Sequence, residues 1–232
     1  MIIDFHSHVI PGIDDGARDV GTAVEMLRRS AEQGVQLMVA TSHFYASRDH
    51  VDQFLEKRQT AYEALRAAWV SGLPDIVLGA EVAYFPGIAR AERLDALKIQ
   101  GTSAMLVEMP FGDWTRAIVD DVEALIEKRH VRVILAHLER YLAFPGNRDF
   151  IERLSGMPLA VQINAESLTD WRQRGKLLRM FKNGKAHLLG SDCHSLNRRP
   201  PNLGEGREVL RKRLGEDFLE RMDRFGEGML KE

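Results

Sequence analysis

Asp4-Phe5-His6-Ser7-His8, which closes the first apolar segment of the chain, decides how the rest of the sequence is interpreted. The apolar residues in and before this stretch predict a short buried strand. Alternate side chains of a strand share one face, so the imidazoles of His6 and His8 are expected to point the same way. Two imidazoles aimed at one point indicate the start of a metal site, although a His-x-His pair also occurs by chance.

Strand-like and helix-like segments alternate along the rest of the chain, which is typical of a parallel sheet built from βα units. After the opening strand, further strands are predicted over residues 35–41, 76–82, 105–109, 131–136, 159–163 and 186–190. Helices are predicted over 19–33, 48–70, 113–129, 170–183 and, as one helical tail, 205–232. Seven strands with intervening helices predict a barrel of seven rather than eight units, with a short open sheet as the alternative.

The bulk composition limits the class of protein. A chain of 232 residues that is 44% hydrophobic is able to bury one core, so residues 1–232 are predicted to form a single domain. A net charge of −2 argues against nucleic-acid binding, and one cysteine excludes an internal disulfide and suits a reducing compartment. No secretory signal and no apolar run of the roughly 20 residues that span a bilayer is recognisable. These features predict a cytoplasmic protein that does not insert into membranes.

Six of the seven predicted strands end in side chains that commonly bind metals. In βα barrels the C-terminal ends of the strands form one rim, so these side chains are expected to converge. Taken singly, His43 is explained by a capped loop, Glu81 by a helix start and Asp192 by a helix N-cap. As a set they favour metal binding, because buried carboxylates are costly unless they are paired or metal-bound. The set is His6, His8, His43, Glu81, Glu108, His137, Asp192 and His194.

The motifs around these residues also have a recognisable order. They are His6-Ser7-His8, Asp14-Asp15-Gly16, Thr41-Ser42-His43, Gly79-Ala80-Glu81, Val107-Glu108-Met109-Pro110, Ala136-His137-Leu138-Glu139-Arg140-Tyr141 and Ser191-Asp192-Cys193-His194. Together they resemble the PHP (polymerase and histidinol phosphatase) superfamily. Their spacing is similar to that of the bacterial manganese-dependent protein-tyrosine phosphatases of capsule and exopolysaccharide operons, the CpsB/YwqE type. The resemblance extends to residues 162–165 and 199–201, and it departs at Ser42, where the family usually has proline.

This resemblance implies a distorted (β/α)7 barrel with three divalent metal ions at the C-terminal ends of the strands. The ions are expected to be manganese, with iron or zinc as alternatives, because the side chains offer nitrogen and oxygen but no thiolate. By the resemblance, the first ion is held by His6, His8, Glu81 and Asp192, the second by Glu81, Glu108 and His137, and the third by Asp15, His43 and His194. The neighbouring Asp14 leaves the register at Asp15 open.

The implied reaction is hydrolysis of phosphotyrosine in proteins, with a bacterial tyrosine kinase as the substrate partner. Arg140 and Arg199 resemble the phosphate-binding arginines of the family, and their planar forks match phosphate geometry. Asp192 and His194 complete the predicted catalytic set. Four aromatic residues are a candidate lip around the substrate ring: Phe44, Tyr45, Phe111 and Trp114.

Three other functions stay open at this stage. Residues 193–199 satisfy Cys-x5-Arg, the signature of thiolate phosphatases, but they lack the glycines of a phosphate-cradling loop, and Pro200 and Pro201 follow directly. Cys193 is therefore interpreted as a buried neighbour of Asp192. Hydrolysis of histidinol phosphate or another small phosphoester would use the same metal core. A non-catalytic regulator with this fold is the third alternative.

Overall fold

The computed structural model describes residues 1–231, and every strand pair within them is parallel. The strands are β1 (Ile3–Ser7), β2 (Leu37–Ala40), β3 (His43–Phe44), β4 (Asp75–Leu78), β5 (Glu81–Ala83), β6 (Ala104–Glu108), β7 (Arg132–Leu135), β8 (Ala160–Asn164) and β9 (Leu188–Gly190). The helices are α1 (Val20–Glu32), α2 (Val51–Ala67), α3 (Arg116–Arg129), α4 (Arg148–Ser155), α5 (Ala165–Thr169), α6 (Trp171–Lys182), α7 (Leu203–Leu214) and α8 (Glu216–Met229). The predicted α/β class is confirmed.

The strands form two sheets that curl toward each other. One has the order β1-β2-β4 and the other β3-β5-β6-β7-β8-β9. The edges β1 and β9 meet where Ser7 bridges Cys193 in parallel, and the backbone N–H of Asp192 donates to the carbonyl of His6 at 2.7 Å. The result is a curled parallel sheet with both first and last strands at one seam.

Alternate side chains of the central strands pack on opposite faces of this sheet. In β6, Met105 and Val107 join the larger apolar cluster, whereas Ala104 and Leu106 join a smaller one with Ile3. All five residues of β6 and all five of β8 are buried, as expected for strands of a parallel sheet covered on both faces. The core therefore fixes the strands on both faces and holds their C-terminal ends in place.

Two predicted elements were wrong in extent. The predicted strand 76–82 is interrupted at Gly79 and Ala80, which separate β4 from β5 and shift the chain from one sheet to the other. The predicted single tail helix is broken at Gly215, whose φ of 91° and ψ of 168° cannot continue a helix. Residue 232, the last of that predicted helix, lies outside the described residues. The short helices α4 and α5 were not predicted.

Candidate metal centre

The opening strand delivers its two histidines to one point, as its alternation predicts. The side chains of His6 and His8 are fully buried, and their Nε2 atoms lie 3.1 Å apart. Glu108 ends β6, and His137 is the second residue after β7. The chain after β9 contributes Asp192 and His194 through backbone that is left-handed at Asp192 (φ 53°), as it also is at His137 (φ 32°).

Glu81 lies at the centre of the cluster. Its Oε2 is 3.2 Å from Nε2 of His6, 3.4 Å from Nε2 of His8 and 2.9 Å from Nδ1 of His43. Its Oε1 is 2.9 Å from Nε2 of His137. One buried carboxylate that faces four imidazoles has the arrangement of a ligand shared between ions, because each of its oxygens is directed to a different group of nitrogens.

Asp192 closes the opposite side of the cluster and meets the two predicted arginines. Its Oδ1 is 3.4 Å from Nε2 of His6 and pairs with Arg199 at 2.5 Å. Its Oδ2 accepts from Arg140 at 2.5 Å and from Nδ2 of Asn164 at 2.8 Å. Both arginine side chains are about one-third exposed, at 35% and 34%, so each guanidinium lies between the buried carboxylate and solvent.

The donor atoms fall into sets that fit divalent cations. Within each set the candidate ligand atoms lie within 4.8 Å of one another. Among residues 1–231, these sets are His8, Asp15, His43 and His194; His6, His8 and Glu81; His6, His137 and Asp192; and His43, Glu81 and Glu108.

Buried polar atoms without partners support this fit. Within the part of the chain that the structure describes, Oε2 of Glu81, Oδ1 of Asp192 and Nε2 of His194 are buried and make no well-directed hydrogen bond, although ionisable groups surround each of them. Three such atoms in one cluster fit ligation by cations much better than they fit a simple apolar core.

The electrostatics of the cluster show how its charges balance. Burial opposes the charge on His8, but hydrogen bonds to Asp14 and Glu81 outweigh it and raise the pKa of His8 to about 10. Burial likewise opposes the charge on His137, and the hydrogen bonds to Glu108 and Glu81 raise its pKa to about 9. The neighbouring imidazoles in turn hold the pKa of Glu81 well below its usual value despite burial. In the metal-free chain, the protons on His8 and His137 thus supply positive charge that bound cations would otherwise supply.

The register left open at the two aspartates is clear in the geometry. Oδ1 of Asp15 lies 3.4 Å from Nε2 of His43 and 3.5 Å from Nε2 of His194. Oδ2 of Asp14 instead accepts from Nδ1 of His8 at 2.8 Å and from the backbone N–H of His43 at 3.0 Å. Asp15 therefore faces the cluster, whereas Asp14 fixes the ring of His8 from behind and leaves Nε2 of that ring free to bind.

Two buried amides, for which no role was predicted, connect the members of the cluster. Oε1 of Gln162 lies 3.2 Å from Nδ1 of His6 and accepts from the backbone N–H of His137 at 2.8 Å. Its Nε2 donates to Oδ1 of Asn164 at 2.8 Å, and Asn164 donates to Asp192. A signal existed in the sequence, because two polar residues at a spacing of two on a buried strand must share one face.

Two glycines make room for the His-x-His pair. A Cβ on Gly16 would lie 2.5 Å from Cβ of His8, and a Cβ on Gly190 would lie 2.5 Å from Cβ of His6. The same added atom on Gly190 would lie 2.8 Å from Nε2 of Gln162. Both positions therefore need glycine because of the close approach of another chain segment.

The predicted aromatic lip is wrong for two of its four members. Phe44 and Trp114 are 2% and 4% exposed and belong to the core, where the indole N–H of Trp114 donates to the carbonyl of Pro110 at 3.1 Å. Tyr45 is half-buried, and its ring centre lies 5.3 Å from that of His43. Phe111 is 59% exposed.

The thiolate alternative does not fit the structure. Cys193 is fully buried, and burial raises the pKa of its thiol far above its ordinary value. Its backbone is tied to β1, where the N–H of His8 donates to its carbonyl at 3.0 Å. A protonated thiol inside the seam between β1 and β9 is not accessible to a phosphoester.

The curled parallel sheet with a buried histidine and carboxylate cluster at its strand ends defines an α/β protein with a candidate metal centre. The family described as "Capsular polysaccharide synthesis, CpsB/CapC" matches residues 2–225, and the chain belongs to this family. The resemblance seen in the sequence motifs is thereby confirmed.

Individual relatives and solved structures agree. The chain is 25% identical over 231 residues to the tyrosine-protein phosphatase CpsB of Streptococcus pneumoniae, covering 92% of this chain and 91% of that protein. It is 27% identical over 222 residues to the tyrosine-protein phosphatase YwqE of Bacillus subtilis, covering 94% and 87%. A structure described among those of YwqE and CpsB, "unique metal-dependent tyrosine phosphatases", superposes with a TM-score of 0.85 at 23% identity, covering 99% of this chain and 94% of that one.

A more distant structural match is a dihydropyrimidinase from Brevibacillus agri, with a TM-score of 0.54 at 12% identity, covering 90% of this chain and 64% of that one. This match shows a likeness of fold alone. Separately, no helix within residues 1–231 is long and apolar enough to cross a membrane.

Proposed function

We propose that this protein is a metal-dependent protein-tyrosine phosphatase. The observation that carries the proposal is one buried carboxylate, Glu81, facing four imidazoles, with two partly exposed arginines on the adjacent Asp192. Such a site offers ligands for cations beside guanidinium groups that suit a phosphoryl group. The tyrosine-protein phosphatases among its relatives supply the substrate class.

We assign three divalent ions, most simply manganese, to this cluster. The assigned ligands are His6, His8, Glu81 and Asp192; Glu81, Glu108 and His137; and Asp15, His43 and His194. The second set is supported by the 3.5 Å between Nε2 of His137 and Oε1 of Glu108, and the third by the close approach of Asp15 to two imidazoles. When bound, such ions neutralise the phosphoryl oxygens and lower the pKa of water toward neutrality.

The residues of the chain have separate tasks in this scheme. Arg140 and Arg199 bind the non-bridging phosphoryl oxygens, and Asp192 holds both guanidiniums in place before substrate arrives. Burial, with His8 and Arg199 nearby, lowers the pKa of His194 to about 4, so its imidazole is neutral at pH 7. A neutral imidazole can act as a ligand or accept a proton at Nε2.

The finer features of the fold and setting are part of the same proposal. Counting β2 with β3 and β4 with β5 as interrupted strands gives seven strand units, consistent with a (β/α)7 barrel in one domain over residues 1–232. The proposed setting is the cytoplasm, and the proposed partner is a bacterial tyrosine kinase whose phosphotyrosines are removed during capsule or exopolysaccharide synthesis. The family's description as capsular polysaccharide synthesis supports this setting.

The test measures hydrolysis of p-nitrophenyl phosphate and of a phosphotyrosine peptide, with chelator and with added manganese. Wild type and Cys193→Ser should be active with manganese and inactive with chelator, and His6→Ala should be inactive throughout. Activity that resists chelator and disappears in Cys193→Ser would overturn the metal mechanism. Turnover of histidinol phosphate but not of the peptide would overturn the tyrosine assignment.

A further inference from the structure

We propose that Phe111 is the specificity-determining residue that selects aryl over alkyl phosphates, by stacking the substrate ring on its open face. This inference rests on the proposed phosphatase function. It concerns the ring of the substrate rather than its phosphoryl group, and it depends on the exposure, the contacts and the anchoring of this one side chain.

Phe111 is an exposed aromatic residue that lies next to a candidate metal ligand, His137. A phenyl group that is 59% exposed leaves apolar surface in water, and single exposed apolar residues are otherwise common and need no explanation. The ring of Phe111 lies 6.0 Å from that of His137, with an angle of 18° between the planes. Since Nε2 of His137 contacts Glu81 at 2.9 Å, the exposed ring lies directly beside the candidate metal centre.

The two aromatic rings that contact Phe111 approach it from the same direction, because their own centres lie only 5.7 Å apart. His137 stacks on it, and Tyr141 approaches to 5.5 Å between ring centres at a tilt of 36°. Tyr141 is itself fixed, because its hydroxyl donates to the carbonyl of Met109 at 2.8 Å and its ring packs on Trp114 at 5.3 Å. The part of the Phe111 ring that is turned away from this aromatic support is the part on which the substrate ring is proposed to stack.

The loop that presents Phe111 is held on both sides. The hydroxyl of Tyr141 binds the carbonyl of Met109, and the indole N–H of Trp114 binds that of Pro110 at 3.1 Å. After Phe111, Nδ2 of Asn147 donates to the carbonyl of Gly112 at 3.0 Å. Three side chains thus fix the backbone around an exposed aromatic residue. A preorganised contact of this kind loses little entropy when a ligand binds.

The position of the phosphoryl group fits this role. Arg140 lies three residues after His137, one turn along a 3-10 helix, and pairs with Asp192. A phosphoryl group bound by Arg140 would therefore lie on the same side of the site as His137. The ring of an aryl phosphate is one ester oxygen away from phosphorus, so a phosphoryl group held beside His137 would leave the aryl ring near Phe111, whose ring stacks on that imidazole. Offset stacking at 4.5–7 Å is the arrangement that aromatic pairs prefer. An alkyl phosphate has no ring to place there.

The experiment compares phenyl phosphate with an alkyl phosphate, glycerol phosphate, in the manganese-loaded wild type, Phe111→Ala and Phe111→Leu. The Ala variant should lose about 3- to 10-fold in kcat/KM for phenyl phosphate, mainly through KM, and keep its kcat/KM for glycerol phosphate. The Leu variant should lie between. Trp171→Ala, which removes an aromatic residue that is 73% exposed in α6, is the matched control and should change neither value.

A binding measurement separates recognition from catalysis. The competitive inhibition constant of phenylphosphonate should rise by the same factor in Phe111→Ala, while that of methylphosphonate stays constant. Equal losses for aryl and alkyl ligands, or no loss for either, would overturn the role of Phe111 and leave the phosphatase proposal intact. If wild type with manganese hydrolyses no phosphoester, the proposed function fails, and calorimetric binding of the two phosphonates still decides whether Phe111 recognises the aryl group.

Discussion

The two sides of the histidine and carboxylate cluster differ in how firmly their side chains are held. On the side of β8 and β9, Asp192 is 2% exposed and receives hydrogen bonds from Asn164 and Arg140. On the side of the loop after β1, the side chain of Asp15 is 69% exposed and lies beside His43, which is itself 15% exposed. The first side is ordered by its surroundings, and the second is open to solvent.

This contrast indicates a division of tasks within one site. Ligands whose positions are fixed by other side chains lose little freedom on metal binding, so the buried side should hold its ions tightly. An exposed aspartate has to be ordered by the ion itself, so the open side should bind its ion more weakly. The open side is also the side on which a candidate ligand, Asp15, is in direct contact with water.

The largest effect is expected for Glu81→Gln, because this change removes the charge that faces four imidazoles. Hydrolysis should fall by about 10³-fold or more, and manganese binding should be lost on both sides of the cluster. Metal content by atomic emission and the rate of p-nitrophenyl phosphate hydrolysis check this. Glu139→Gln is the matched control, since Glu139 is also buried but its Oε1 accepts from the backbone N–H of Asn164 and from Oγ of Ser167. A Glu81→Gln variant that keeps its metal would contradict the central role of Glu81.

The second prediction concerns pH. With pKa values raised to about 10 and about 9 by their carboxylate partners, His8 and His137 are protonated in the metal-free protein at pH 7. Each must lose its proton to bind a cation, so the affinity for manganese rises with pH. The rise becomes less steep above about pH 9, where His137 loses its proton, and ends above about pH 10, where His8 does. Between pH 7 and 8 the gain should approach about 100-fold, tenfold for each proton released. Calorimetry in buffers of different ionisation enthalpy counts the protons, and binding without proton release would show that this description of the charges is wrong.

The third change weakens the buried side without removing a ligand. Asn164→Asp replaces the amide that donates to Oδ2 of Asp192 with a carboxylate that repels it. Manganese affinity should fall by about 10- to 100-fold, as measured by competition with a chelating dye. Asn147→Asp is the control, because Asn147 is also buried but forms its hydrogen bonds with Trp114 and Gly112 instead. If both variants lost the same affinity, a general loss of packing would be the explanation.

The smallest effect is expected on the open side. Asp15→Asn keeps the shape of the side chain and removes its charge beside His43 and His194. One ion per chain should bind about tenfold more weakly, while the ions of the buried side keep their affinity. A graded titration with chelator should therefore release metal in two steps in this variant. Release in a single step would show that the two sides act as one unit.

The sequence predicted that these side chains converge, because their convergence depends on strand geometry alone. Alternation places His6 and His8 on one face, and the shared rim of parallel strands brings Glu108 and His137 to them, without any knowledge of the loops. The break between β4 and β5 was missed because Gly79 and Ala80 continue an apolar run that is compatible with one strand.

The parts that failed depend on long-range packing. Phe44 and Phe111 have the same side chain and both come shortly after a predicted strand, 35–41 and 105–109, yet one is buried against Phe54 and the other is exposed. Nothing local distinguishes them. The orientation of Asp14 and Asp15 depends on a turn in which Gly16 packs against His8, a contact between segments that the sequence order does not reveal.

Those close-packed glycines have a consequence for how the family is able to vary. Alanine at position 16 or 190 would keep every candidate ligand and every charge, yet it would displace the histidine against which that glycine packs. Natural sequences that preserve the whole ligand set but replace either glycine should therefore include inactive proteins. A comparison of histidines and carboxylates alone would classify such relatives as enzymes. When activity is inferred from sequence similarity, Gly16 and Gly190 should therefore be compared together with the ligand motifs.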